Sequence, residues 1–160
     1  MSEYAVRVAT PQDRASVVDL IHLLHDENGL FSLSDRKVEQ QLDRYYKGGT
    51  AILGVIGPIG AVEGSIFLSI EEPYYSEDLQ LTELWNMVHP AHRTKDHVGK
   101  LLDFAKRCSD ETQLTLMIGI ISNKRTAAKL RIYGKKLEPA GGFFVWNPQF
   151  AGGHWLSAAE

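Results

Sequence analysis

The sequence predicts a mixed α/β fold, in which helices flank a sheet that contains both parallel and antiparallel strands. Short runs rich in valine, isoleucine and leucine alternate with segments whose apolar residues recur at helical spacing. Some of these runs are joined by a tight turn, and others are separated by a helix, which is the connection that parallel neighbours require. With 160 residues, the chain is long enough for one domain with a single core.

The first third of the chain predicts one strand and two helices. YAVRVA, residues 4–9, alternates between apolar and other residues and is rich in valine, which is typical of a strand. Thr10-Pro11 favours a helix start, with Thr10 as N-cap, and the helix ends near Asn28-Gly29. A second helix is expected after Ser34-Asp35, and Gly48-Gly49 closes it. The apolar faces of these helices consist of Val17, Leu20, Ile21, Leu24, Val38, Leu42 and Tyr45.

Three strands follow in the middle of the chain. TAILGVI and VEGSIFLSI are joined by a glycine- and proline-rich turn, residues 57–60, which predicts a hairpin. LQLTELWNMV, residues 79–88, is apolar on both faces, so we expect this strand inside the sheet rather than at its edge.

The last part of the chain predicts two helices and two strands. A helix that begins at His97 carries Val98, Leu101, Leu102, Ala105 and Cys108 on one side, and LTLMIGII then predicts a buried strand. A long helix with Ala127, Leu130, Tyr133 and Leu137 precedes a final strand, GGFFVWN. The predicted order is β-α-α-β-β-β-α-β-α-β, and the β-α-β unit over residues 79–121 predicts two parallel neighbouring strands. We expect one domain over residues 1–160, with an unassigned tail over 148–160.

Composition excludes several classes of function. The formal charge of -3 and the pI near 6.1 do not favour a nucleic-acid partner, which usually requires a basic face. The only cysteine, Cys108, cannot form an internal disulfide, which fits a reducing compartment. The N-terminus lacks a charged leader with an apolar core, and no apolar run is long enough to cross a bilayer. We therefore expect a cytoplasmic protein without a membrane partner.

Three segments resemble the GNAT family of acyl-CoA-dependent N-acetyltransferases. VRVATPQDRASVVDLI is similar to the opening strand and helix of the family, GAVEGSIFLSI to its third strand, and ELWNMVHPAHR to its fourth strand with the Val-x-Pro-x-x-Arg ending. The resemblance covers roughly residues 4–147. It implies a GNAT-like fold, acetyl-CoA as co-substrate, and an acceptor that is the primary amine of a small molecule or a peptide.

The resemblance places the coenzyme pyrophosphate at the turn from Arg93 to Gly99. The family pattern has glycines where this chain has Asp96 and Val98, so the loop is degenerate. Backbone N–H groups at a helix N-terminus bind phosphates, and a residue other than glycine can still present its N–H. Asp96 can instead be interpreted as the N-cap of the next helix, a role that aspartate often fills, and Arg93 and Lys95 can be interpreted as solvated loop charges. The implied coenzyme contacts in this turn are Arg93, Thr94, Lys95, Asp96, His97, Val98 and Gly99.

The resemblance also implies roles outside the turn. Met87 and Val88 would bind the pantetheine arm through main-chain groups, and Tyr133 would protonate the leaving thiolate. Tyr133 could instead be a core aromatic on the face of Leu130. Asn123 is similar to the family asparagine that contacts pantetheine, but its distance from Tyr133 is about one helical turn longer than usual. Thr126 could take its place, or Asn123 could cap the helix.

The general base and the acceptor pocket are less defined by the sequence. Glu83, flanked by Leu84 and Trp85, is a candidate base because desolvation would raise its pKa, although it could instead pair with a lysine. The pocket should lie between the first two helices and the loop before the fourth strand. The polar and aromatic residues available there are His22, His25, Asp26, Glu27, Tyr74 and Tyr75.

Two further expectations concern partners. His89, His92 and His97 lie close together in sequence, but their spacing does not suit a metal site, so we expect no metal. The apolar segment FFVWNPQF could form a homodimer interface. The missing loop glycines leave a second function open, in which the chain is a catalytically silent GNAT-like domain that acts as a binding or interaction module.

Overall fold

A computed structural model describes residues 4–120, 125–146 and 148–149. One mixed sheet of five strands runs through these residues in the order β1-β2-β3-β4-β5. The strands are β1 (Arg7–Val8), β2 (Ala51–Ile56), β3 (Gly64–Glu71), β4 (Gln80–Val88) and β5 (Thr115–Met117), and the helices are α1 (Arg14–Asn28), α2 (Asp35–Asp43), α3 (His97–Thr112) and α4 (Thr126–Tyr133). The predicted α/β class with a mixed sheet is confirmed.

Pairing within the sheet follows the predicted connections. The neighbours from β1 to β4 are antiparallel, whereas β4 and β5 are parallel, as expected for strands that are separated by helix α3. The hairpin turn between β2 and β3 includes Gly57 and Gly60, both with positive φ. Strand β4 lies between two neighbours, as its two apolar faces predicted.

The sheet is covered on both faces, which explains why its central strands are buried almost throughout. One apolar cluster joins the sheet to α1 and α2, and a second joins it to α3. Helix α3 approaches β2 closely at Gly54, where a Cβ would collide with the Phe104 ring. The fully buried side chains of the two clusters include Val17, Leu42, Leu53, Val55, Phe67, Ile56, Ile66, Leu68, Leu81 and Leu101.

The helix boundaries agree with the sequence signals at most ends. A turn of 3-10 helix, Pro11–Asp13, precedes α1, and Gly29 follows its last residue. Ser34 lies at the N-cap position of α2, which continues as a π-helical turn, Arg44–Gly48. Gly49 then adopts a left-handed conformation, with φ of 68°, that favours glycine.

Three expectations for the last part of the chain are wrong. Strand β5 is shorter than LTLMIGII and is not buried, because Thr115 and Met117 are exposed at the sheet edge. Helix α4 ends at Tyr133, before Leu137, and Leu130 is exposed. Residues 141–146 of the predicted last strand have no regular structure, and Phe143, Phe144 and Trp146 are exposed rather than packed. Apolar content alone had predicted a strand there, without a neighbour to pair with.

A buried carboxylate connects the first strand, the first helix and the hairpin. Asp13 is fully buried and accepts hydrogen bonds from Arg7 Nη1 at 2.7 Å, from the Thr10 N–H at 2.8 Å and from the Gly60 N–H at 2.9 Å. The Arg7 guanidinium holds the pKa of Asp13 well below its usual range. Because three segments depend on this one side chain, its charge contributes to stability.

We predict that Asp13→Asn lowers the free energy of unfolding by about 3 kcal/mol, since it breaks a buried ion pair and its hydrogen bonds. The folded-state pKa of Asp13 lies below the unfolded value, so this contribution is present above about pH 4 and is lost as the pH falls further. Urea unfolding at neutral and acid pH measures both effects. The exposed Asp19→Asn control should change stability by less than about 0.5 kcal/mol, and an equal loss in both variants would contradict the assignment.

Candidate active site

A large cavity opens where strands β4 and β5 part. The two strands pair at Gln80–Thr115, Leu81–Leu116 and Thr82–Met117, and in the described residues the ladder ends there. The cavity beyond this point has a volume of about 560 Å³ and is bounded by both strands, the end of α1 and the loop that follows it. Its apolar wall consists of Ile21, Leu33, Leu84, Trp85, Met87, Met117, Ile118, Ile120 and Phe143.

A β-bulge in β4 coincides with the point of divergence. Phe67 pairs with Trp85 and Leu68 with Glu83, so Leu84 is an extra residue on β4. Bulges bend a strand and redirect the side chains next to them. The bulge therefore changes the alternation of β4 at the position where Glu83 lines the cavity.

Glu83 has the properties of a carboxyl that can exchange a proton near neutral pH. It is half-buried in the cavity wall, and burial raises its pKa to about 8 against the opposing effects of the Lys129 charge and the Gly119 N–H. Lys129 is itself hydrogen-bonded to Asn28, and burial lowers its pKa. The expected desolvation of Glu83 is thus present in the structure, and so is the neighbouring lysine of the alternative interpretation.

Tyr133 lines the large cavity together with Glu83 and Asn86. Burial raises the pKa of Tyr133, the Glu83 charge raises it further, and the nearby Asn86 amide partly offsets the rise. The phenol therefore keeps its proton at neutral pH, which a proton donor requires. Both polar atoms of the Asn86 amide are buried and form no well-aligned hydrogen bond within the described part of the chain. A buried amide of this kind is costly unless a ligand or water pairs with it.

A smaller cavity of about 90 Å³ meets the large one at these residues. It lies between the ends of α1 and β4, the start of α3 and helix α4. Both cavities are lined by the same five residues, which are Asn28, Asn86, Met87, Lys129 and Tyr133. The cationic residues of the smaller cavity are Arg93, Arg125 and Lys129, and Glu27 is the acidic residue there. This excess of positive charge suits an anionic ligand.

The main-chain groups of Met87 and Val88 point in opposite directions. Met87 pairs with Ser65, and the His89 N–H donates to the Glu63 carbonyl at 2.8 Å, so both of these residues direct their main chain toward β3. Because antiparallel strands alternate, the N–H and C=O of Val88 lie on the opposite edge, toward the gap beside β4. Of the two residues, Val88 is therefore the one whose main chain is available to a molecule in the gap.

Ion pairs anchor the turn before α3, so its charged side chains are not free in solvent. Arg93 binds the Glu27 carboxylate at 2.8 Å, and Lys95 binds Glu63 at 3.1 Å. His97 is buried and its Nε2 lies 2.5 Å from the same Glu63 carboxylate. Burial opposes ionisation of Glu63, but its contacts with His97 and Lys95 outweigh that effect and lower its pKa. Phosphate binding at this turn would therefore fall mainly to backbone N–H groups.

Asp96 lies where the helix N-terminus would receive a phosphate. It occupies the N-cap position of α3, as predicted, but its side chain makes no capping hydrogen bond. Its carboxylate instead packs over Gly99, where a Cβ would collide with it. Lys100 makes the first helical hydrogen bond, to the Asp96 carbonyl, so the N–H groups of residues 97–99 have no intrahelical acceptor. Val98 packs against the apolar cluster under α3, and Thr94 is exposed.

Only part of the predicted acceptor pocket lines a cavity. His25 lines the large cavity and Glu27 the smaller one. His22 instead pairs with Asp35 at 2.8 Å, and Tyr74 and Tyr75 are exposed and pack against each other. Asp26 lines neither cavity. Asn123 lies outside the described residues, and Thr126, its alternative, is the first residue of α4.

Several residues of this region were missed by sequence reasoning. Both cavities are lined by Asn28, Asn86 and Lys129, the smaller one is also lined by Arg125, and Glu63 anchors the turn before α3. Asn86 carried a usable signal, because a lone amide inside an apolar strand is unusual. Glu63 and Lys129 carried none, since their partners are distant in sequence.

In the described residues, no group of three His, Cys, Asp or Glu side chains is arranged to hold a metal ion. The same part of the chain includes no helix that is long and apolar enough to span a membrane.

We predict that the Glu83 carboxyl titrates near pH 8, because its burial outweighs the Lys129 charge. Carboxyl carbon NMR of selectively labelled protein between pH 4 and pH 10 measures this directly. The Glu83→Gln variant identifies the resonance, and the exposed Glu77 provides an internal reference. Titration of Glu83 near its ordinary pKa would contradict the buried environment described above.

Comparisons with known proteins agree at the level of fold. No protein-family model matches the chain, and a search of curated proteins finds no match. AAC(6')-Iy in complex with the bisubstrate analogue CoA-S-monomethyl-acetylneamine superposes with a TM-score of 0.70 at 11% identity, covering 91% of this chain and 97% of that chain. A possible acetyltransferase from Clostridium difficile 630 gives 0.68 at 14% identity, with coverage of 91% and 97%.

An aminoglycoside acetyltransferase from an uncultured soil metagenomic sample, in complex with trehalose, gives a TM-score of 0.63 at 14% identity and covers 88% of this chain and 94% of that chain. These identities are too low to transfer a substrate or a catalytic residue. They agree with the element order and the mixed sheet described above. The chain therefore has the fold of the GNAT acetyltransferases.

Proposed function

We propose that the protein transfers an acetyl group from acetyl-CoA to a primary amine by direct attack. The observation that carries this proposal is the junction of two cavities at Asn86 and Tyr133, beside the gap between β4 and β5. A reaction between two bound molecules requires two adjoining sites with proton-transferring groups where they meet. The acetyltransferase fold supports the same reaction class.

The smaller cavity is the proposed donor site. Arg93 is paired with Glu27, so Arg125 and Lys129 are the lining residues that favour an anionic coenzyme. Helix α3 begins at the edge of this cavity with the N–H groups of residues 97–99, which have no intrahelical acceptor. These N–H groups and the helix dipole would bind the diphosphate, and Val88 would pair with the pantetheine arm through its main chain. The side chains of Lys95 and His97 are lesser contributors in this proposal, because both already bind Glu63. Met87 and Thr94 are also lesser contributors, because the Met87 main chain faces β3 and Thr94 is exposed.

The large cavity is the proposed acceptor site, and Glu83 is its base. The amine nitrogen attacks the thioester carbon, and the C–S bond breaks after a tetrahedral intermediate forms. Glu83 accepts the proton that the nitrogen loses, for which a pKa of about 8 is well matched to neutral pH. The Val88 N–H and the buried Asn86 amide would stabilise the negative oxygen of the intermediate.

Tyr133 is the proposed proton donor to the leaving thiolate. It lies at the junction and keeps its proton at neutral pH. The pKa of an ordinary phenol already lies above that of a thiol, and burial raises the pKa of Tyr133 further, so donation is less favourable than from an ordinary phenol. We therefore expect Tyr133 to make a moderate contribution to the rate of acetyl transfer.

The direct test combines coenzyme binding with one variant. Acetyl-CoA at millimolar concentration should raise the melting temperature, as any ligand selective for the folded state does. Tyr133→Phe should leave that shift unchanged and lower kcat about tenfold, measured by release of CoA thiol with an accepted amine. Tyr74→Phe, at an exposed tyrosine away from the cavities, is the matched control. Full activity of Tyr133→Phe would reduce Tyr133 to a packing residue.

One observation favours a second candidate function, a catalytically silent domain that serves as a binding or interaction module. The Asp96 carboxylate packs over the first turn of α3, where it would repel a diphosphate. The exposed aromatic residues Phe143, Phe144 and Trp146 could then form a contact surface, including one between two copies of the chain. No melting-temperature shift with acetyl-CoA, CoA or longer acyl-CoAs would favour this function over catalysis.

A further inference from the structure

We infer that the acceptor is a monoamine carried on an apolar body, such as an alkylamine or an arylalkylamine, rather than a polyamine or an aminoglycoside. This inference rests on the proposed function, because it names the substrate class of the same site. It follows from the chemistry of the large cavity, whose walls are largely apolar and whose charged groups are few. A volume of about 560 Å³ lies within the range of small-molecule sites.

The apolar wall of the cavity comes from several elements and continues to its mouth. Ile21 belongs to α1, and Leu33 to the loop after it. Met117 and Ile118 lie on or next to β5, and both belong to the apolar lining. The exposed Phe143 ring packs beside Gly119, where a Cβ would be 3.5 Å from it, and forms part of the rim. A hydrocarbon body would be removed from water along this whole path.

The charged groups of the cavity fit one amine. Glu83 is the only carboxylate among the described residues that line it, and Lys129 contributes a positive charge. One ammonium group can pair with Glu83. A second or third ammonium would face Lys129 and apolar surface without a carboxylate partner, and burying an unpaired charge is costly. Polycations are therefore disfavoured by both desolvation and repulsion.

The neutral polar residues do not change this balance. The large cavity is also lined by His25, Asn28, Gln80, Thr82 and Asn86. Of these, Asn28 already binds Lys129, Gln80 donates to Thr82 at 3.0 Å, and the Asn86 amide is assigned to the thioester oxygen in the proposed function. A polyhydroxylated acceptor needs many hydrogen-bonding partners when it is buried. The cavity provides few that are not already engaged, so it favours hydrocarbon over sugar.

The test is a series of acceptors at fixed acetyl-CoA concentration. We expect kcat/KM for linear amines from propylamine to octylamine to rise about three- to fourfold per methylene until the cavity is full. Phenethylamine should be accepted at a rate within the range of this series, and spermidine and kanamycin should be at least about tenfold poorer than hexylamine. A flat series, or a preference for spermidine or kanamycin, would overturn the inference.

A variant that adds a negative charge to the cavity wall tests the same preference for monoamines over polyamines. Met117 is exposed on β5 at the cavity wall and has no proposed catalytic role. Met117→Glu adds a second carboxylate and should raise the ratio of spermidine to hexylamine turnover about three- to fivefold, whereas Met117→Gln, of the same size, should not. An unchanged ratio in Met117→Glu would contradict the assigned position of the acceptor.

The experiments distinguish a wrong substrate class from a wrong proposed function. If acetyl-CoA binds and no amine is acetylated, the proposed function fails. Calorimetric titration with the same alkylamines then still tests the cavity, because affinity should rise with chain length whether or not turnover occurs. If polycations are acetylated well, the acetyltransferase function stands and the monoamine inference is wrong.

Discussion

The parallel pairing of β4 and β5 ends after Thr82–Met117, and the proposed site depends on that divergence. Past this point the outward backbone groups of β4 have no described β5 partner and need another acceptor or donor. The bulge at Leu84 coincides with the divergence. Glu83 and Asn86 then line the large cavity, and Val88 lines the smaller one. Both cavities are therefore a consequence of how two strands separate, and helix α4 with Tyr133 closes the gap on one side.

A second constraint fixes the turn that precedes α3. Glu63, at the end of the hairpin, binds Lys95 and the buried His97, so the first residue of the helix is held against the sheet. This anchoring removes side-chain cations from the turn and leaves its backbone N–H groups as the means of binding a phosphate. Asp96 opposes that role by its charge and by its position over Gly99. The affinity for coenzyme at this turn therefore depends on the attraction of the α3 N-terminus for the diphosphate and on its repulsion by the Asp96 carboxylate.

Most of the fold could be predicted because strand and helix periodicities were strong from β1 to α3. The predictions failed from β5 onward, because the described parts of LTLMIGII and GGFFVWN are apolar but not buried, so composition no longer indicated burial. At the site, Glu83 and Tyr133 could be proposed from the sequence, and the structure places them on one cavity. The pairing of His97 with Glu63 and the position of Lys129 depend on contacts between distant segments, which periodicity does not reveal.

The central claim is that the N–H groups of residues 97–99 bind a diphosphate despite Asp96. Calorimetric titration with coenzyme A measures this binding most directly. The titration compares the unaltered protein with Asp96→Asn and with the exposed control Asp110→Asn. The account predicts saturable binding to the unaltered protein, about tenfold tighter binding to Asp96→Asn, since one repulsive charge is removed, and no change in Asp110→Asn. Absence of binding to the unaltered protein and to Asp96→Asn alike would contradict the account.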